Sequence, residues 1–330
     1  MPIILTVRIV NHKLLADTGL EVSRLCLGSM NFADKTNEPE SRAIFHLARE
    51  AGVNFLDTAN AYSDGKAERM LGRFLSGCRD EFVLASKVGM PVEEGPLGRG
   101  LTRRHIMLQV EKSLSRLNTD RLDLYYVHRF DPSTSMEETL RAMDDLVRQG
   151  KVLHIGCSNW SAWQTALSLG VSRQLGLASF CCMQPMYNLV KRQAEVEILP
   201  LAQAANLGVM PYNPLGAGLL TGRYLDNPRA AGRLNELSFY TKRYAAQTYR
   251  ETADRFVAFA KDNGHDPAAL AMAWVLGHPA VTSGIAGPRT LAHMQTYLAA
   301  VEIDMTQDLR EAISALGPPP PMATDRDDDR

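Results

Sequence analysis

Eight short apolar runs recur along this chain, and each is followed by a longer stretch with helical periodicity. Strands that alternate with helices are typical of βαβ units built around a parallel sheet. Eight such units within 330 residues predict an α/β fold, a single (β/α)₈ TIM barrel, because barrels of about this size commonly form one domain. The predicted strands lie near residues 24–28, 53–58, 81–87, 121–128, 151–158, 177–184, 208–212 and 281–287.

Three segments fall outside this repeat. The N-terminus before the first run suggests a hairpin that closes the bottom of the barrel. The connection after the seventh strand, residues 213–244, is long enough to indicate a functional lid or binding loop. The sequence GPPPPMATDRDDDR at the C-terminus lacks apolar anchors and predicts a disordered tail. The expected organisation is therefore a barrel domain over residues 1–316 and a tail over residues 317–330.

Charge and hydropathy exclude several classes of partner. The net charge of -1 provides no single-sign field for nucleic acid or an anionic membrane. No apolar run approaches the roughly 20 residues of a spanning helix. The apolar start is interrupted by Arg8, His12 and Lys13, which makes it too short for a signal peptide. These features predict a cytoplasmic protein that acts on a small molecule, and they leave its oligomeric state open.

The five cysteines do not suggest a metal site or a disulfide framework. They form no C-x-x-C pair and have no zinc-like spacing with histidine. Reduced and mostly buried thiols are the expectation. No metal is therefore predicted.

Polar residues close three consecutive apolar strands. Asp57, Lys87 and His128 each follow two apolar residues at alternate positions, so they share the inward face of their strands. Neighbouring parallel strands lie about 4.8 Å apart, and barrel enzymes keep their chemistry at the C-terminal ends of the strands. A carboxylate, an ammonium and an imidazole are therefore expected together at the barrel mouth.

Tyr62 follows Asp57 by five residues and can reach the same mouth. A tyrosine has an unperturbed pKa near 10, which is too high for an efficient proton donor at neutral pH. We expect Lys87 beside the hydroxyl to lower this pKa, and Asp57 to keep Lys87 charged and oriented. His128 would bind the substrate oxygen or share in proton delivery.

These residues lie in segments that resemble the three signature regions of the aldo-keto reductases: LDTANAYSDGKAE, ASKVG and LDLYYVHRFDP. The resemblance extends from DTGLEVSRLCLGSM to SGIAGPRT in the family's order and spacing. It implies that Asp57, Tyr62, Lys87 and His128 form a catalytic tetrad. The implied activity is the reduction of an aldehyde or ketone to an alcohol, with hydride from a nicotinamide and a proton from Tyr62.

The same resemblance implies the cofactor contacts. The segments CSNW and MQPMYN imply that Ser158, Asn159 and Gln184 hold the nicotinamide carboxamide, and Tyr212 would stack on its ring. Backbone at Leu215, Gly216 and Gly218 would approach the pyrophosphate, since glycine permits close contact and unusual φ. Arg289 would bind the adenosine 2′-phosphate, which favours NADPH over NADH. The complete set of implied cofactor residues is Ser158, Asn159, Gln184, Tyr212, Leu215, Gly216, Gly218 and Arg289.

One departure from the family pattern concerns the adenine end of the cofactor. Many relatives have Gln and Asn four and eight residues after the arginine, whereas this chain has His293 and Tyr297. Two other functions remain open. One is a cofactor-sensing regulatory subunit of the same fold with slow turnover, like the channel-associated β subunits. The other is a retaining glycosidase, which needs a pair of strand-end carboxylates that we do not find.

Overall fold

The computed structural model describes residues 10–324 and begins with a short hairpin. Strands β1 (His12–Leu14) and β2 (Glu21–Ser23) pair antiparallel, which confirms the predicted N-terminal hairpin. The apolar start before residue 10 and the last six residues of the predicted tail lie outside the described residues. Residues 317–324 of that tail contain no helix or strand.

Eight parallel strands follow the hairpin and form one sheet. The sheet pairs β3 through β9 in chain order and places β10 beside β3. Backbone hydrogen bonds join its two edges, from Thr282 N to Val209 O (2.9 Å) and from Ile285 N to Pro211 O (3.0 Å). The predicted (β/α)₈ fold is therefore confirmed. The strands are β3 (Leu25–Gly28), β4 (Phe55–Asp57), β5 (Val83–Val88), β6 (Leu122–Val127), β7 (Val152–Ser158), β8 (Phe180–Gln184), β9 (Gly208–Val209) and β10 (Gly284–Ala286).

Alternate strand residues fill the barrel interior. Phe55, Ala85, Leu124 and Tyr126 point inward and belong to one buried cluster, while their neighbours pack outward against the helices. Leu15, in the hairpin turn, belongs to the same inner cluster and is fully buried. The hairpin therefore closes the N-terminal end of the barrel, and the C-terminal end of the strands remains available for a site.

Six of the helices directly follow barrel strands, and local signals set their ends. At α4 the Ser135 side chain accepts from Glu138 N at 3.1 Å, as the Ser-x-x-Glu spacing predicts. Gly150 follows this helix with φ of 69°, a conformation that suits glycine. The helices are α1 (Glu38–Glu50), α2 (Lys66–Phe74), α3 (Arg103–Leu117), α4 (Met136–Arg148), α5 (Ala162–Leu175) and α6 (Ile198–Ala204).

The long connection after β9 is folded rather than irregular. It contains a 3₁₀ segment, Gly216–Thr221, and three short helices. The remaining helices complete the outer ring and cover the closing edge of the sheet. These elements are α7 (Arg223–Asp226), α8 (Arg233–Glu236), α9 (Ser238–Arg243), α10 (Gln247–Asp262), α11 (Pro267–Leu276), α12 (Leu291–Ala300) and α13 (Gln307–Ser314). None of the helices described between residues 10 and 324 is both long and apolar enough to span a membrane.

Candidate active site

The predicted polar strand ends meet at the C-terminal mouth of the barrel. Asp57 is the last residue of β4, Lys87 lies one residue before the end of β5, and His128 directly follows β6. Tyr62 begins a 3₁₀ turn, Tyr62–Gly65, in the loop after β4. Sheet register places Asp57 opposite Ala85, and Lys87 opposite Tyr126. The three strand ends and the loop tyrosine therefore lie together, as the sequence predicts.

Lys87 is the centre of this group. Its buried ammonium Nζ donates to Asp57 Oδ1 at 2.5 Å, to the Thr58 carbonyl at 2.8 Å and to Tyr62 Oη at 3.1 Å. Gln184 Nε2 donates to the other oxygen of Asp57 at 2.8 Å. Both carboxylate oxygens and all three ammonium protons thus have partners, which a buried ion pair requires.

The pKa of Tyr62 differs from the sequence-based expectation. Burial of the hydroxyl raises this pKa, and the charge and hydrogen bond of Lys87 oppose the rise without reversing it. The effect of Lys87 has the predicted sign, but the predicted net direction is wrong because desolvation of the phenolate outweighs the ammonium. Burial by itself would lower the pKa of Lys87, but the charges of Asp57 and Tyr62 raise it. The resident forms at neutral pH are an ammonium and a protonated phenol.

His128 lies beside Tyr62, with ring centroids 5.9 Å apart and planes at 80°. Burial, followed by the charges of Lys87 and Arg129, holds the pKa of the imidazole well below its usual range. His128 Nδ1 is buried without a hydrogen-bond partner among the described residues. The imidazole is therefore neutral at physiological pH and can hydrogen-bond a substrate oxygen.

The amide residues form a connected row beside this group. Ser158 ends β7 and donates through Oγ to the Gln184 carbonyl at 2.9 Å. Asn159 donates to the His128 carbonyl at 2.9 Å and accepts from Tyr212 Oη at 2.7 Å. These contacts fix the amide of Asn159 and the ring of Tyr212 against the mouth. The row can therefore present fixed polar groups and an aromatic face to one planar ligand.

The residues predicted to approach a pyrophosphate form a tight backbone turn. Gly216 and Gly218 have φ of 59° and 95°, in the region that favours glycine. Leu215 precedes them and, like Gly218, lines the main cavity. Arg289 also lines that cavity and binds Glu236 through Nη2 and Oε2 at 2.9 Å. The polar row, the glycine turn and the Arg289 guanidinium supply donor groups that suit a dinucleotide.

One cavity of about 740 Å³ connects these groups. Its volume lies within the range of small-molecule and cofactor sites. Sequence reasoning missed several lining residues, most of them in the segment 213–244, although the density of arginine and tyrosine there was a signal. His293 and Tyr297, which depart from the family pattern, also line the cavity. The missed residues include Arg129, Arg223, Arg233, Phe239, Tyr240 and Arg243.

Comparisons with known proteins identify the class. The family model described as the aldo/keto reductase family matches residues 24–317. An uncharacterized oxidoreductase, YrpG of Bacillus subtilis, is 35% identical over 93% of this chain and 95% of its own. A probable voltage-gated potassium channel subunit beta of Arabidopsis thaliana is 34% identical over 88% and 91%. The versiconal hemiacetal acetate reductase of Aspergillus parasiticus is 30% identical over 89% and 93%.

Fold, site and comparisons together define an oxidoreductase built on a (β/α)₈ barrel. The chain belongs to the aldo-keto reductase family. Enzymes of this family generally use nicotinamide cofactors, and the donor set around the cavity suits such a group.

Proposed function

We propose that this protein is an NADPH-dependent carbonyl reductase that converts an aldehyde or ketone to an alcohol. The observation that carries the proposal is the contact of Lys87 Nζ with both Asp57 and Tyr62 at the floor of the cavity. Asp57, Tyr62, Lys87 and His128 are the proposed catalytic residues. A bound nicotinamide would supply the hydride.

The proposed roles follow from the charge and contacts of each group. The protonated Tyr62 hydroxyl donates its proton to the carbonyl oxygen as negative charge develops there. Lys87 stabilises the phenolate that this transfer leaves, and Asp57 keeps Lys87 charged. The neutral His128 imidazole holds the carbonyl oxygen in line with the tyrosine. Ser158, Asn159 and Gln184 orient the nicotinamide amide, with Tyr212 against its ring.

Tyr62→Phe tests the proposal directly because it removes only the hydroxyl. We expect folding and NADPH binding to survive while kcat for carbonyl reduction falls about 10²–10⁴-fold, the usual range for a general acid. Tyr249→Phe is the matched control, since Lys191 Nζ donates to Tyr249 Oη at 3.2 Å in a similar pair outside the cavity lining. Near wild-type turnover in folded, NADPH-bound Tyr62→Phe would refute the assignment of the proton donor.

The preference for NADPH rests on Arg289, with Leu215, Gly216 and Gly218 toward the pyrophosphate. A charge-assisted contact with a phosphate contributes about 1.5–3 kcal/mol, or roughly ten- to hundredfold in affinity. We expect NADPH to bind more tightly than NADH and Arg289→Ala to narrow the difference. Fluorescence titration of both cofactors measures this, and equal wild-type affinities would contradict the preference.

The second candidate function is a cofactor-sensing subunit with slow turnover. The similarity to the Arabidopsis channel subunit, at 34% identity over most of both chains, favours this alternative. A steady-state assay over a panel of carbonyl substrates separates the two functions. Turnover of 1 s⁻¹ or more, within the usual range of about 1–10³ s⁻¹ for enzymes, supports the reductase. Turnover far below this range on every substrate, together with tight NADPH binding, supports the sensor.

A further inference from the structure

Two arginines line the catalytic end of the cavity without a carboxylate partner. Arg129 directly follows His128, and Arg243 ends α9. Neither guanidinium forms an ion pair with any residue described between positions 10 and 324. The Arg243 guanidinium carbon lies 5.3 Å from the Tyr240 ring centroid and 5.6 Å from that of Phe239. A cationic group is therefore held on an aromatic surface at this end of the cavity.

The surroundings do not neutralise this charge. The cavity lining contains the carboxylates of Asp57 and Asp266. Asp57 is fully engaged by Lys87 and Gln184, and Asp266 accepts from Ala269 N at the start of α11. His128 is neutral because burial lowers its pKa. The substrate end of the cavity thus carries an excess of positive charge from the two arginines.

The contacts of Arg243 differ from those of Arg233 and Arg289. Burial raises the pKa of Tyr212 to about 12, and the charge of Arg243 acts against this rise, as expected for neighbouring groups. Arg233 instead contacts Asn31 at 3.4 Å, and Arg289 contacts Glu236. Arg243 is therefore a neighbour of Tyr212, the proposed nicotinamide-stacking residue, whereas Arg233 and Arg289 are engaged by other partners.

We propose that Arg243, supported by Arg129, forms an anion subsite that selects carbonyl substrates bearing a carboxylate on an aromatic or similarly flat body. The inference rests on the proposed reductase function and specifies its substrate class. A guanidinium pairs well with a carboxylate, and the rings of Phe239 and Tyr240 offer a flat apolar surface beside it.

The test compares 4-carboxybenzaldehyde with its neutral methyl ester, methyl 4-formylbenzoate. We expect wild-type kcat/KM to favour the acid by roughly tenfold or more, the range of a charge-assisted contact. Arg243→Met should abolish the preference mainly through KM for the acid, and Arg243→Lys should retain part of it. Arg250→Met, at an exposed position of α10, is the control.

A binding measurement separates this inference from the reductase proposal. Terephthalate cannot be reduced in this assay, and its affinity for the NADPH-loaded protein reports the subsite alone. We expect weaker binding in Arg243→Met and unchanged NADPH affinity. Equal kcat/KM for acid and ester in the wild type, or equal losses on both substrates in Arg243→Met, would overturn the subsite. Intact terephthalate binding without reduction of any aldehyde would instead overturn the reductase.

A separate ion pair, formed by the cavity-lining residue Arg289, supports a second inference. Glu236 on α8 binds Arg289 with two contacts, Oε2 to Nη2 at 2.9 Å and Oε1 to Nη1 at 3.3 Å. The hydrogen bond from Arg289 lowers the pKa of Glu236. The backbone of Arg289 is fixed, since Thr36 Oγ1 donates to its carbonyl at 3.0 Å. The carboxylate therefore occupies the face of the guanidinium that a phosphate would use.

We infer that Glu236 sets the cofactor preference by competing with the 2′-phosphate for Arg289, which presupposes the proposed cofactor site. A phosphate must displace this carboxylate or accept its repulsion, whereas a free ribose hydroxyl can donate to it. Glu236 therefore weakens the binding of NADPH and leaves the binding of NADH unaffected. The preference for NADPH over NADH is therefore smaller than Arg289 would confer if Glu236 were absent.

Calorimetry with adenosine 2′,5′-bisphosphate and AMP tests this inference without redox chemistry. In Glu236→Gln we expect several-fold to tenfold tighter binding of the bisphosphate, with AMP unchanged or weaker, and a gain that shrinks at high salt. Glu251→Gln, exposed on α10, is the matched control. Unchanged or weaker bisphosphate binding would reject the role of Glu236. Failure of the wild type to bind either nucleotide would reject the cofactor site itself.

Discussion

At the scale of single residues, the site depends on one buried ammonium. Lys87 is completely buried, and its three donors go to Asp57, Thr58 and Tyr62. Removal of one partner of a buried pair leaves an uncompensated charge, which costs about 3–5 kcal/mol. Lys87 is therefore needed to compensate the buried charge of Asp57, in addition to the role in proton transfer that we propose for it.

The protonation states predict a simple pH dependence. The pKa of Tyr62 is raised by burial, so the phenol stays protonated until well into the alkaline range. The pKa of His128 is lowered, so the imidazole is already neutral below its usual pKa of about 6.5. We expect kcat for reduction to be flat between roughly pH 6 and 9 and to fall above about pH 10, where the donor loses its proton. An inflection near pH 6.5 in the wild type that is absent in His128→Gln would contradict this assignment.

Lys87→Met tests the partnership of ammonium and phenol. It should reduce kcat by about 10²–10⁴-fold, because the phenolate left by proton transfer loses its counter-charge. The double variant with Tyr62→Phe should be little worse than either single variant, since both remove one proton transfer. Fully additive losses would show that the two residues act in separate steps. Urea denaturation should also show a lower free energy of unfolding for Lys87→Met, because the variant leaves the buried carboxylate of Asp57 without its partner.

At the scale of elements, residues 213–244 form a bridge over the cavity. The two ends of this segment meet, since Asn213 Nδ2 donates to Tyr244 Oη at 2.6 Å. Its middle reaches the opposite rim through the contacts of Arg233 with Asn31 and of Glu236 with Arg289. The middle of the segment is thus held by these polar contacts together with the buried side chains of Leu234 and Tyr240.

This arrangement predicts where ligand binding changes local stability. Saturation with NADPH should slow hydrogen exchange and proteolysis across α7, α8 and α9, because each of these helices lines the cavity and would gain contacts with a bound cofactor. Exchange in α4, on the outside of the barrel and away from the cavity, serves as the internal reference. Unchanged hydrogen exchange in α7, α8 and α9 at saturation would contradict this prediction and indicate that the segment does not respond to the cofactor.

At the scale of the whole molecule, the N-terminal hairpin completes the core of the barrel. Leu15 is fully buried among inward-facing strand residues, and a Cβ placed on Gly208 would collide with its Cδ1 atom. At the bottom of the barrel, the side chain of Leu15 therefore fills the space that any side chain at position 208 would need.

Leu15→Ala should lower the free energy of unfolding by about 2–5 kcal/mol, as buried leucine truncations do. Leu14→Ala on the same hairpin, where the leucine is 55% exposed, should change it little. Gly208→Ala should be destabilising in the wild type and less so in Leu15→Ala, because the truncation makes room for the added methyl group. Urea unfolding of the three single variants and the Leu15→Ala/Gly208→Ala double variant measures these free energies. Equal losses of stability in Leu14→Ala and Leu15→Ala would contradict the packing of Leu15 in the barrel core.

The sequence alone determined the features that depend on neighbours along the chain. Apolar runs of strand length identified all eight barrel strands, although several are shorter than predicted, such as Phe55–Asp57 within 53–58. Alternation within strands correctly placed Asp57, Lys87 and His128 at one mouth. Such patterns are local, because strand periodicity and chain order fix which side chains share a face and an end of the barrel.

Only the tertiary structure decided the features that depend on residues far apart in the chain. The direction of the pKa shift of Tyr62 depends on how completely the surrounding protein excludes water, which no local pattern reveals. Glu236 and Arg289 are 53 positions apart, and their pairing depends on the path of the segment after β9. The positions of Arg243 and Leu15 depend on the same kind of long-range packing. Desolvation and contact between separate elements arise only when the chain is folded, which is why the sequence indicated the chemistry of the site but not its electrostatic balance.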